Sequence, residues 1–303
     1  MKSWRGEVAL VGVTIIWGTT FVLVKAALSD VSTVFFLALR FTVATLALAV
    51  IYRRAMRRNG ILPGLLAGAL LFAGYVFQTW GLELTTPSKS AFLTGLSIPM
   101  VPLIGSLVYK NRPRLFELAG ILIATLGMAL MTLPAGKFEM SRGDFLSFLC
   151  AVTFALHIVV ISHYSPVIGF QTLAVIQVAT AAALGIVSSP FVEQLRLHLS
   201  GNVAAAVLVT GLLGTALAFT TMTWAQQFTS ATRAALIFTL EPVIAWVTSY
   251  VLTGETLPAR GKIGAVAILA GVLLVEFRSA ESAESKQPGS DGTVTNVNVT
   301  TSD

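Results

Sequence analysis

Charge is scarce in this sequence. Asp, Glu, Lys and Arg together make up 11% of 303 positions, where a soluble domain carries about a quarter. A soluble chain of this length could not cover its surface with so few. Cysteine occurs once, at Cys150, which excludes an intrachain disulfide and any cysteine-based metal centre. Histidine occurs three times, as His157, His163 and His198, the last two in predicted loops. No HExxH helix and no Cys–His spacing is present, and the carboxylates inside apolar runs form no obvious pair, so an enzyme finds no machinery here. Acidic residues are outnumbered, 14 against 20 Lys and Arg, a formal charge of +6. That surplus sits in short clusters between apolar runs, the pattern of membrane topology rather than of a nucleic-acid surface.

What is present is apolar: 55% of residues are hydrophobic and the mean hydropathy is +0.82. A helix needs about 20 mostly apolar residues to cross a bilayer. Ten such runs can be placed, near 8–27, 34–51, 62–82, 90–109, 115–132, 143–161, 171–190, 203–225, 234–253 and 262–277. The first is too long for a signal-peptide core and is read as a retained span. Residues 279–303 are polar and aperiodic and read as a disordered tail, in which the Asn298-Val299-Thr300 sequon is accidental. With the N-terminus inside, twelve Lys and Arg fall on the cytoplasmic side, among them Arg53, Arg54, Arg57, Arg58, Lys110, Arg112, Arg114 and Arg233. Six fall outside, and Lys25 and Arg40 lie within spans. This asymmetry places both termini in the cytoplasm.

The chain also repeats itself. At an offset of 144, Trp80 meets Trp224, Thr85 meets Thr229, Lys89 meets Arg233, Gly120 meets Gly264 and Gly127 meets Gly271. Pro99 meets Pro242 after the loss of one residue, and at an offset of 137 Gly6-Glu7 meets Gly143-Asp144, Trp17 meets Phe154 and Thr20 meets His157. Five spans per copy is an odd number, so the two copies cross the membrane in opposite senses. Residues 1–135 form the first repeat, 136–278 the second and 279–303 the tail. Inverted repeats of this kind are characteristic of secondary transporters, whose substrate site lies near the midplane between the repeats. The expected fold class is therefore an all-α integral membrane protein, ten transmembrane helices in two inverted five-helix repeats.

Ionisable groups inside a membrane cost about 2.5–3.5 kcal/mol each on insertion scales and call for a reason. Glu241 lies about 15 Å into the ninth span at 1.5 Å per residue, and Pro242 behind it removes a backbone donor. The carboxylate is a candidate to face a polar cavity, bind a cationic group or carry a proton; the alternative is a structural pair with Arg40. Arg40 either binds a substrate carboxylate or ties helices together. Lys25 lies near the end of the first span, where it can snorkel to the headgroups. Pro99 and Pro102 interrupt the fourth span at the depth where Pro242 interrupts the ninth, and paired breaks of this kind point to a transporter site. Polar and aromatic candidates nearby are Trp17, Thr19, Thr20, Gln78, Trp80, Thr94, His157, Gln177, Thr223, Trp224 and Trp246. Each has an ordinary reading beside the functional one, helix–helix hydrogen bonding or packing. Gly120, Gly127, Gly264 and Gly271 mark close-packed helix surfaces.

Several motifs resemble one known family. Trp17-Gly18-Thr19-Thr20-Phe21 with Lys25 resembles the first-helix signature of the drug/metabolite transporter superfamily, in its EamA-like branch. Arg40-Phe41, the stretch Thr86-Pro87-Ser88-Lys89-Ser90-Ala91-Phe92-Leu93, and Leu240-Glu241-Pro242-Val243 followed by Gly254-Glu255 resemble further motifs of that branch in order. The second repeat departs from the pattern, with Phe154-Ala155 where the first has Trp17-Gly18. The resemblance implies a central cavity opening alternately to either side, in a multi-pass protein of the bacterial inner membrane. It also implies export of amino acids or other small metabolites, with the bilayer and a small-molecule substrate as partners, protons as a candidate coupling ion and no cofactor. A proton-independent facilitator, a channel-like permease, or a receptor or scaffold without transport are the alternatives; substrate and oligomeric state stay open.

Overall fold

The computed structural model describes residues 3–55, 60–85, 87–110, 113–133, 141–254 and 256–284. These residues form thirteen α-helices that make ten crossings. The first three crossings are α1 (Ser3–Ala27), α2 (Thr33–Tyr52) and α3 (Ile61–Leu84). The fourth is split into α4 (Pro87–Gly95) and α5 (Ser97–Tyr109), and the fifth is α6 (Leu115–Thr132). Then come α7 (Arg142–Ile168) and α8 (Phe170–Val192). The eighth crossing joins α9 (Gly201–Gly211) and α10 (Ala218–Ala225) through a π-helical turn, Leu212–Leu217. The ninth is split into α11 (Ala231–Phe238) and α12 (Glu241–Thr253), and the tenth is α13 (Ala259–Glu284). Eight of the crossings meet the length and hydropathy of a membrane span among the described residues, and α1 and α13 complete the ten.

Every expected span is helical, three of them in more than one piece and several longer than expected. Helix α7 runs on to Ile168 and takes in His163, expected in a loop, whose ring stacks on Tyr109 at 3.8 Å. Helix α13 continues past Arg278 to Glu284, because nothing in Ser279–Glu284 breaks a helix that apolar packing has already nucleated. The rest of the expected tail, the 134–140 connection that holds the repeat boundary and the Lys25 side chain lie outside the described residues. His198 is in a connection as expected, where an isolated bridge pairs Val31 with Leu197.

With lipid outside, helices gain little from hiding apolar surface and associate through close packing and hydrogen bonds. The sharpest case is α6 against α13. Gly120 packs on the carbonyl of Gly271 and Gly127 on that of Gly264, and each of these glycines presses back reciprocally. One partner number rises as the other falls, so the helices are antiparallel. Since Gly120 corresponds to Gly264 and Gly127 to Gly271 in the repeat, the two contacts are one contact seen twice, related by a two-fold axis. Helices α2 and α8 are likewise antiparallel: Ala38 faces Gly185, and the Glu193 carboxylate accepts from the Val34 and Phe35 amides at the α2 N-terminus. That carboxylate satisfies donors that Ser32, with no side-chain cap, leaves open.

The start of α1 and the end of α13 lie on one face, called here the terminal face. Gly6 packs on Ala225, Arg233 pairs with Glu7 and Glu117, and Val275 lies against Gly120. The opposite face carries the Thr85–Asp144 hydrogen bond, the Thr33–Glu83 bond and Arg260 on the carbonyls of Leu130 and Leu133.

Candidate functional site

Two helix breaks fall at matching places. The chain turns at Leu96 between α4 and α5, and at Thr239–Leu240 between α11 and α12. Pro99 and Pro242 follow these turns by three residues or fewer and sit in the first turns of the new helices, where a missing amide costs nothing. Pro102 lies inside α5 and does not break it. Residues flanking both breaks, Thr94 and Ser97 on one side and Phe238 and Glu241 on the other, line a cavity of about 400 Å³.

The cavity takes Trp17 and Thr20 from α1, Arg40 from α2, and Tyr75 and Gln78 from α3. Thr94 lines it from α4, Ser97 from α5 and Met128 from α6, with Phe154 and His157 from α7, Phe219 from α10, Phe238 from α11, and Glu241 and Pro242 from α12. Its rim carries Leu28, Leu82, Met131, Thr132 and Leu257, all at helix ends on the face opposite the termini. The cavity therefore reaches from mid-depth toward that face. On the terminal side the way is closed by the Arg233 ion pairs with Glu7 (3.1 Å) and Glu117 (3.5 Å), and by Gln227 donating to the Ser165 carbonyl at 2.9 Å. A second hollow of about 380 Å³, lined by Arg114, Glu117, Ser162 and Arg233, lies on that closed side.

Arg40 is 5% exposed and held by three partners. Its Nε donates to Thr215 Oγ1 at 2.7 Å, and Nη2 donates to Tyr75 Oη at 3.1 Å and to the Gly214 carbonyl at 3.2 Å. The guanidinium lies 4.7 Å from the Tyr75 ring centre, a cation–π distance. The π-helical turn makes this possible, because its wider ring turns the Gly214 carbonyl toward α1 and α2. The same carbonyl accepts from Trp17 Nε1 at 2.9 Å, and the Trp17 ring packs on Phe219 and Phe238. Arg40 thus both ties helices and lines the cavity. Among the described residues Glu241 makes no hydrogen bond and no salt bridge, so the expected alternative of an Arg40–Glu241 ion pair is not formed.

Of the residues expected at the site, Trp17, Thr20, Arg40, Gln78, Thr94, His157, Glu241 and Pro242 are brought together around the cavity. Gln177 stands behind His157 and is hydrogen-bonded to it, and Thr223 accepts from the Gln177 amide. Trp80, Pro99, Trp224 and Trp246 do not line the cavity. Trp80 packs against the core, Trp224 against Phe228 and Trp246 against Tyr250, while Thr19 is exposed and bonds back to Ile15 on its own helix. Each is about one helical step away from the lining positions, which mean depth alone cannot resolve. Tyr75, Phe154 and Phe219 also line the cavity without standing out in the sequence as site residues. Phe154 alone carried a signal, as the repeat partner of Trp17.

A family model described as the EamA-like transporter family matches residues 4–133 and again 141–277. An uncharacterized transporter of Archaeoglobus fulgidus is 31% identical over 280 residues, covering 92% of this chain and 88% of its own. A probable terminal-alkyne amino-acid exporter of Streptantibioticus cattleyicolor is 23% identical, covering 95% of this chain and 99% of its own. A solved structure described only as a crystal structure of a protein superposes with a TM-score of 0.78 at 16% identity, over 92% of this chain and all of the other, and so shares its fold. The two matched stretches span nearly all the helices that build the cavity, and the chain belongs to the EamA-like transporter family, multi-pass membrane transporters of the drug/metabolite transporter superfamily.

Proposed function

We propose that this transporter carries amino acids or closely related zwitterions by alternating access, and that it exports them across the cytoplasmic membrane with both termini inside. One observation carries the reading: Arg40 and Glu241 line the same cavity without pairing with each other. Arg40 spends Nε and Nη2 on the protein, and among the described residues Nη1 has no hydrogen-bond partner, so it is available to a ligand carboxylate. Glu241 is the complementary acceptor for an ammonium group. Apolar and aromatic walls lower the local dielectric and strengthen both contacts. About 400 Å³ suits a ligand of amino-acid size, at the small end of ligand pockets. The amino-acid exporter among the relatives supports the substrate class and direction.

Alternating access then requires the terminal face to open while the far face closes. The two repeats, 1–135 and 136–278, are the natural rocking units, and the glycine seam between α6 and α13 lies on their shared two-fold axis. A cavity that reaches one face while ion pairs hold the terminal side among the described residues is the arrangement that alternating access calls for. Proton coupling through Glu241 belongs to the same proposal. The test is uptake of a panel of labelled amino acids into proteoliposomes, with and without an imposed pH gradient. Saturable, gradient-stimulated uptake that Glu241→Gln removes supports a proton-coupled carrier. Saturable uptake indifferent to the gradient leaves a facilitator, and uptake of no amino acid overturns the substrate class.

A further inference from the structure

Behind the cavity wall runs a chain of buried polar side chains whose hydrogen bonds have a readable direction. Thr223 Oγ1 lies 2.6 Å from the Phe219 carbonyl, which can only accept, so the hydroxyl donates there. Its oxygen then accepts from Gln177 Nε2 at 3.1 Å. That turns the Gln177 carbonyl oxygen toward His157, whose Nε2 lies 2.8 Å from it. An oxygen acceptor demands a proton on Nε2. His157 and Gln177 are both at least 99% buried, and leaving either end unmade would strand a buried polar group.

We infer that this relay locks His157 as the neutral Nε2–H tautomer, presenting Nδ1 to the cavity as a hydrogen-bond acceptor that selects substrates carrying a donor. His157 lines the cavity, and among the described residues Nδ1 has no hydrogen-bond partner. The Phe219 ring meets the imidazole edge-on with centroids 5.8 Å apart, which holds its plane. A substrate N–H or O–H aimed at Nδ1 is satisfied; a group that only accepts meets a lone pair. Sites built around one such hydrogen bond reject analogues that lack the donor, because the buried partner is left unpaired. Gln177 and Thr223 are positioning residues, since they act only through His157. The substrate part of the inference rests on the amino-acid reading above, while the tautomer does not.

Two measurements test it on the full chain. In nanodiscs with ¹⁵N-labelled histidine, the signals lost in His157→Gln identify this residue. They should show a pyridine-type Nδ1 and a protonated Nε2. Thr223→Val frees the Gln177 amide to turn over and should introduce the other tautomer. A protonated Nδ1 in the wild type, or a tautomer unmoved by Thr223→Val, overturns the lock. For selectivity the probes are L-tyrosine and O-methyl-L-tyrosine, which differ in the donor and keep the acceptor. Wild-type uptake should favour tyrosine by about tenfold, the factor that one net hydrogen bond supports. The ratio should fall to about one in His157→Leu. Equal ratios in wild type and variant overturn the selectivity. Uptake of neither probe by the wild type overturns it together with the amino-acid reading, and leaves the lock to the histidine spectrum.

Discussion

Arg40 and Glu241 differ in how firmly the protein holds them, and their variants should differ accordingly. Arg40 has three hydrogen bonds from two nitrogens, directed at α3 and at the π-helical turn. A lysine ammonium is a point charge on a flexible stem and cannot reach Thr215 and Tyr75 in the same geometry. Arg40→Lys should therefore lower the thermal midpoint in detergent and weaken uptake together, with a stability loss of about 3 kcal/mol, the lower end for breaking a buried hydrogen-bonded charge. Glu241 makes no hydrogen bond or salt bridge among the described residues. Glu241→Gln keeps its shape and should leave the melting curve within about 0.5 kcal/mol of wild type, while amino-acid affinity falls at least about tenfold. Equal thermal losses in the two variants, followed by scanning fluorimetry, would contradict this division of labour.

At the scale of the element, the α6–α13 seam is the contact least able to accept change. A methyl group on Gly127 would lie 2.6 Å from the Gly264 carbonyl oxygen and 2.8 Å from the Ile268 amide nitrogen, both backbone atoms that cannot swing aside. Gly127→Ala and its repeat partner Gly271→Ala should both push the helices apart, costing about 1–3 kcal/mol as overpacking does. Gly12, in α1, has nothing within 4 Å of a methyl position, so Gly12→Ala should be neutral or slightly stabilising. Thermal unfolding of the three variants checks the ranking; similar shifts in all of them would mean that the seam is not a close contact. The repeat was legible here because a glycine leaves the same mark in both copies. The π-helical turn was not legible: Gly211, Gly214 and Thr215 stand in a run that reads as an ordinary apolar span, and only the extra residue per ring reveals it.

For the whole molecule, the governing asymmetry is one open face and one closed. The closed side depends on Arg233 joining α11 to Glu7 of α1 and to Glu117 of α6. Such a pair is only partly exposed, with 20% of the Arg233 side chain and 12% of Glu7 accessible, so it is screened less than a surface ion pair. Arg233→Ala should shift the population toward opening of the terminal face. A cysteine placed by Ser162→Cys, in the hollow on that side, should then label faster with a membrane-impermeant thiol reagent applied from the terminal face. Cys150 is fully buried and should stay silent. An unchanged labelling rate would show that the ion pairs do not hold the gate.

Apolar run length pointed to ten spans, because a run of about 20 such residues has no alternative home in water, and eight of the ten helical crossings meet that length and hydropathy among the described residues. The odd number of spans per repeat determined the inversion, since five crossings leave the second copy upside down. Depth along a helix also marked Glu241, Arg40 and His157, because a polar group in lipid must be explained. Rotation about the helix axis was decided only by tertiary packing. Whether Trp80 or Thr79 faces the cavity depends on which neighbours crowd α3, since the two are adjacent and differ by only about 1.5 Å in depth. The direction of the Thr223–Gln177–His157 relay, the docking of Arg40 on the π-helical turn, and the face to which the cavity opens are likewise contacts between residues far apart in sequence. They arise only once α1, α2, α7, α8 and α10 are brought together.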